Sequence, residues 1–213
     1  MIAKSAAAFL FDLDGTLIDS SQAMRRVWGR WAHERGLDFA ALFPMVQGRR
    51  AIDTMRRLAV PGLDPEAEAA IIDRGEVEDV AIAGAADFLA SLPTERWTVV
   101  TSAPRALAQA RLRAAGLPVP ETILTAEEVV AGKPAPDCFV LGAKRVGFAP
   151  QDCLVFEDSD VGVEAAVAAG ADVVVIASAQ SSLDGRFAVP DFEALDLTVL
   201  PDRLLLKRRD CSS

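Results

Sequence analysis

The sequence predicts an α/β fold, a parallel sheet flanked by helices and interrupted after its first strand by an inserted helical domain. Short apolar runs recur at residues 9–11, 97–100, 122–124, 153–156 and 173–176. From residue 97 onward they alternate with helix-like segments at 104–115, 136–146 and 162–169, the pattern of βαβ units. Between about residues 18 and 83 strand signals are missing and apolar residues recur at helical spacing instead.

Each element has a local reason. The first strand is Ala6-Ala7-Ala8-Phe9-Leu10-Phe11, a continuous apolar run of the kind buried on both faces of a parallel sheet. It runs directly into Asp12-Leu13-Asp14-Gly15-Thr16. In the insert, Met24, Val27, Trp28 and Trp31 share one helical face, as do Ile52, Met55 and Leu58. Pro61-Gly62 and Asp64-Pro65 divide the insert into helices joined by loops. The chain returns to the core near Ala81-Ile82-Ala83-Gly84. Gly116, Gly147 and Gly170 fall just past the later helices, where a left-handed cap residue is favoured. The tail from Leu204 to Arg209 reads equally as a terminal helix or a frayed end.

Composition narrows the function. A chain of 213 residues buries a sizeable core, whether as one domain or as a core with an insert. It has no tyrosine and one histidine, so carboxylates are the expected proton handlers. A net charge of -9 argues against a nucleic-acid partner, which would require surplus Lys and Arg. An acidic protein that handles anions must concentrate positive charge locally or borrow it from a metal. Cys138, Cys153 and Cys211 form no paired motif and read as reduced thiols. No apolar run is long enough to span a membrane, and the expected location is the cytoplasm.

Four segments at predicted strand ends carry chemistry. Asp12 and Asp14 stand where ligands bind in open α/β sheets, although Asp-Gly is also a common turn. Thr101-Ser102-Ala103-Pro104 offers hydroxyls and backbone N–H groups at a helix start, which suits an anion and equally an ordinary cap. Lys133 lies in Gly132-Lys133-Pro134, ahead of another helix. The strand at 153–156 ends in Glu157-Asp158-Ser159-Asp160, carboxylates suited to a hard divalent cation or to a solvated loop.

Taken in order, these segments resemble the motifs of the haloacid dehalogenase superfamily over residues 9–176. The resemblance is to its branch of sugar phosphatases, glycerol-3-phosphatases and β-phosphoglucomutase-like proteins, which have a Rossmann-like three-layer core and a helical cap. It implies a core of residues 1–17 and 84–213 and a cap of 18–83. Asp12 is then the nucleophile that forms an aspartyl-phosphate, and Asp14 is the general acid and base. Mg²⁺ is implied at Asp12, the Asp14 carbonyl and Asp158, with Glu157 adjacent. Lys133 would neutralise the phosphoryl group, with Thr101 or Ser102 donating to it and the Ala103 N–H contributing.

Asp14 distinguishes phosphoryl transfer from dehalogenation, since the dehalogenases of this superfamily lack a second aspartate in that role. Related mutases carry a cap histidine where this chain has Met24, and its only histidine, His33, lies further along; hydrolysis is favoured over a phosphomutase. A non-catalytic phosphate-binding protein would have no use for a nucleophile. Gln47-Gly48-Arg49-Arg50-Ala51-Ile52-Asp53 resembles the cap loop of the sugar phosphatases, with Arg49 and Arg50 as substrate contacts or solvated arginines. The expected partner is a small-molecule phosphate ester, with no nucleic acid and no membrane, acted on by a monomer or weak homodimer.

Overall fold

The computed structural model describes residues 3–177 and 187–209. In chain order the elements are β1 (Ala3–Ala6), β2 (Ala8–Phe11), β3 (Ile18–Asp19), α1 (Ser21–Glu34), α2 (Phe39–Leu42), α3 (Ala51–Leu58), α4 (Pro65–Asp73) and β4 (Val80–Ala81). There follow α5 (Ala85–Ala90), β5 (Trp97–Val99), α6 (Arg105–Ala114), α7 (Asp137–Arg145), β6 (Cys153–Glu157), α8 (Asp160–Ala168), β7 (Asp172–Ile176), β8 (Phe187–Val189), β9 (Leu195–Val199) and β10 (Leu204–Arg208).

The central sheet is parallel and five-stranded, in the order β5-β2-β6-β7-β8, so β2 runs through its interior. Alternate residues of β2 serve opposite faces. Phe9 and Phe11 enter one apolar cluster with Phe88, Phe156 and Phe192, while Ala8 and Leu10 enter another with Phe139 and Val155. Phe11 and Phe156 stack at 4.6 Å between ring centroids. Burying each such side chain contributes roughly 1.5–3 kcal/mol. Layers on both sides thus hold β2 fast, and the strand delivers Asp12 to a fixed point beyond its end. The Asp12 N–H donates to the Phe156 carbonyl at 2.9 Å, which ties that point to β6.

Helices α1 to α4 lie between β3 and β4, and those two strands pair antiparallel, with Ile18 opposite Ala81. The helices have an apolar cluster of their own, including Val27, Trp28, Trp31, Leu42, Met55 and Ile72. Trp28 and Trp31 meet edge to face, and the Trp31 indole donates to Glu68 at 2.6 Å. The insert is therefore a packed unit entered and left through one short zipped pair.

Two expectations are corrected. Residues 122–124 form no strand; Leu124 makes only an isolated bridge to Val100, because the run is a loop passing the edge of β5. The tail is neither helix nor frayed end: β10 is the middle strand of a three-stranded antiparallel sheet, β1-β10-β9. Leu204 and Leu206 point inward and are fully buried, which fixes its register. Cys138 and Cys153 are free and buried, whereas Cys211 lies outside the described residues.

Candidate active site

The carboxyl ends of β2, β5 and β6 converge. Lys133, itself 2 % exposed, bridges two of them: its Nζ donates to Asp12 Oδ1 at 2.5 Å and to Glu157 Oε1. The other oxygen of Glu157 accepts from the Asp158 N–H, the Ser159 N–H and the Ser159 hydroxyl. Asp158 accepts from the Thr16 hydroxyl at 3.2 Å. Gly15, at φ +90°, passes so close to Asp158 that a Cβ there would collide with its carboxylate. Only glycine allows both that backbone angle and that approach.

Ligand oxygens of Asp12, Glu157 and Asp158 lie within 4.8 Å of one another. Three carboxylates thus face a single ammonium, leaving an excess of negative charge in a buried place. Burial pushes the Asp12 carboxyl up to about 7, with Lys133 pulling it down and Glu157 pushing it up. Asp158 is raised well above the ordinary carboxyl value by burial, then by Glu157 and Asp12. Lys133 is raised too: burial alone would lower it, but the charges of Asp12 and Glu157 outweigh that. An all-oxygen donor set short of positive charge fits a hard divalent cation.

The second strand end behaves differently from expectation in detail. The Thr101 hydroxyl accepts from the Ala103 N–H at 3.0 Å, so that N–H is directed at Thr101. The Ser102 hydroxyl donates across to the Gly48 carbonyl of the insert at 2.8 Å. Gly48, at φ +70°, sits where a Cβ would strike Ser159, and this close approach brings the insert onto the strand ends.

Of the two arginines expected to meet substrate, Arg49 lines the cleft between insert and strand ends. Arg50 is corrected: it is buried, with Nε and Nη2 on Asp53 and its remaining donors on the carbonyls of Ala126, Val129 and Val130. A guanidinium has five N–H donors, and all are in use. Arg50 fastens the insert to the core.

Met24, Trp28 and Ile72 form an apolar wall of the cleft opposite Asp12 and Asp14. His33 is exposed on α1. Two cleft residues escaped the sequence reading. Asp73, at the end of α4, has its carboxyl pushed up to about 6 by burial and then by Glu127. Arg111 donates to Asp14 Oδ1 at 2.6 Å. Its signal was available: Ala108, Arg111 and Leu112 share the buried face of α6, so an arginine stands on an apolar stripe.

A family model for haloacid dehalogenase-like hydrolase matches residues 6–170. The chain belongs to the haloacid dehalogenase-like hydrolases. It is similar to hexitol phosphatase A of Escherichia coli, 40% identical over 79% of this chain and 82% of that protein. It is also similar to the fructose-1-phosphate phosphatase YqaB of the same organism, 34% identical over 79% of this chain and 95% of that one. Among solved structures, CbbY of Rhodobacter sphaeroides shares the fold, with a TM-score of 0.73 over 88% of this chain and 95% of that chain at 21% identity. Among the described residues no helix is long and apolar enough to cross a membrane.

Proposed function

We propose that this hydrolase cleaves phosphoric monoesters of sugars and polyols through an aspartyl-phosphate on Asp12. The observation that carries the reading is the set of buried Asp12, Lys133 and Glu157 with half-buried Asp158 at adjoining strand ends, under a cleft walled by the insert. The similarity to hexitol and fructose-1-phosphate phosphatases supports the substrate class. We divide the chain into a core of residues 1–17 and 84–213 and a cap of 18–83. The location we assign is the cytoplasm, where Cys138 and Cys153 stay reduced.

The chemistry follows from the residues. Asp12 attacks phosphorus, the ester oxygen leaves, and Asp14 gives it a proton; Asp14 then takes a proton from the water that hydrolyses the acyl phosphate. Lys133 offsets charge on the phosphoryl oxygens. Thr101 is the better phosphate donor of the two hydroxyls, because its proton is uncommitted while Ser102 gives its own to Gly48. Asp12, Asp158 and the Asp14 carbonyl would hold Mg²⁺, with Glu157 beside them positioning Lys133. Bound there, Mg²⁺ supplies the positive charge that lets a carboxylate approach a phosphate dianion. The apolar wall and the insert's closure exclude bulk water.

Phosphate release from a panel of hexitol, sugar, glycerol and nucleotide monophosphates, with and without Mg²⁺, tests this. Turnover confined to Mg²⁺ and greatest on hexitol or sugar monophosphates is expected. Absence of release from every ester would overturn it.

A further inference from the structure

Arg111 stands on α6 in the core, yet its guanidinium reaches both linkers of the insert. Its Nη1 donates to Asp14 Oδ1 at 2.6 Å, on the chain leading into β3. Its Nε lies 3.3 Å from Asp79 Oδ2, in the residue just before β4. The second pair is close enough to attract, but its angle is not that of a hydrogen bond. Among the described residues both Asp79 oxygens and Arg111 Nε lack a hydrogen-bond partner. Arg111 and Asp79 are buried, 5 % and 4 % exposed, while Asp14 is half-buried at the cleft.

A buried arginine between two carboxylates is costly to place, and a simpler apolar residue would fill the α6 stripe. What the arrangement achieves is geometric. Asp14 has two oxygens, and Arg111 occupies Oδ1, fixing the side chain's torsion and leaving Oδ2 as the oxygen free to exchange a proton. Asp79 opposes Asp14 across the guanidinium and keeps that group from swinging into the cleft. The antiparallel pairing of β3 with β4 holds the two linkers in register.

We propose that Arg111, braced by Asp79, is a positioning residue that aims the Asp14 carboxyl at the leaving oxygen. The inference rests on the phosphatase reading. General acid catalysis matters in proportion to how poor the leaving group is, and contributes about 10²–10⁴-fold where it is needed. Misaiming Asp14 therefore harms poor leaving groups most.

The test is a Brønsted series: kcat/KM for phenyl phosphates with ring substituents from none to dinitro, measured with Mg²⁺ in the wild type, Arg111→Met, Arg111→Lys and Asp79→Asn. Since kcat/KM covers the steps up to the phosphoenzyme, it includes the acid step and leaves out hydrolysis of the acyl phosphate, and the series carries no hydroxyls for Arg111 to bind. In Arg111→Met the loss should exceed about tenfold for phenyl phosphate and shrink steadily toward the dinitro ester, steepening the slope. Arg111→Lys and Asp79→Asn should give intermediate slopes, and they carry the test if Arg111→Met does not fold. Slopes parallel to the wild type in the folded variants, whatever the overall loss, would show a structural role and overturn the proposal. A wild type that releases phosphate from neither this series nor the hexitol and sugar monophosphates would overturn the phosphatase reading, and the proposal with it.

Discussion

The floor and the roof of the cleft are built on opposite principles. On the floor, Lys133 joins Asp12 to Glu157, Glu157 accepts from the Asp158 and Ser159 N–H groups, and Asp12, Lys133 and Glu157 are all buried. On the roof, Met24, Trp28 and Ile72 present apolar surface, and Arg49 and Asp73 supply scattered polar groups. The floor is rigid because β2 is clamped between two apolar layers. The roof has its own small core, enters and leaves the sheet through one short strand pair, and is fastened to the core by Arg50. A rigid floor suits a reaction whose geometry must not vary. A roof packed separately can change its lining without disturbing the chemistry.

Damage to the floor should affect every substrate alike. Lys133→Met leaves Asp12 and Glu157 buried without their counter-charge, an error that costs about 3–5 kcal/mol of stability. Turnover should fall by at least about 10³-fold on sugar and aryl phosphates equally, and urea unfolding should show the destabilisation. Chelation with EDTA should reduce turnover at least about 100-fold on all esters, with recovery on adding Mg²⁺; loss on only some esters would contradict the division.

Damage to the roof should reorder substrates instead. Arg49→Ala should change the kcat/KM ratio between sugar phosphates and a plain aryl phosphate by about tenfold, with the aryl rate nearly kept. The smallest effect concerns Asp73. Its folded value of about 6 lies above its ordinary 3.8, so the folded state resists ionising it. Stability is therefore lost as pH rises from about 3.8 to about 6, and the loss is complete above that. Asp73→Asn should remove the loss, raising the melting temperature by about 2–4 °C relative to wild type at pH 8 and by little at pH 3.5.

The floor was legible in the sequence because strand ends are marked twice, by an apolar run and by the polar residues that stop it. Phe11 followed by Asp12, and Phe156 followed by Glu157 and Asp158, carry both marks. The roof was legible only as helices. Arg50 bonds carbonyls that lie 76 to 80 residues away, a tertiary fact that no local pattern encodes. Arg111 left a trace in its spacing with Ala108 and Leu112, but a charged residue on an apolar stripe does not name its partner. The β10 strand was missed because Leu204, Leu205 and Leu206 are uniformly apolar and show no alternation.

The central claim is that the floor's reaction passes through Asp12. Its most direct measurement is intact and peptide mass spectrometry of the Asp14→Asn variant, acid-quenched after mixing with Mg²⁺ and 2,4-dinitrophenyl phosphate. That leaving group needs no acid, whereas hydrolysis of the acyl phosphate needs the base that this variant lacks. The expected result is the mass of one phosphoryl group accumulating on the peptide that contains Asp12. Phosphate carried on another residue, or turnover with no phosphorylated protein at any quench time, would contradict it.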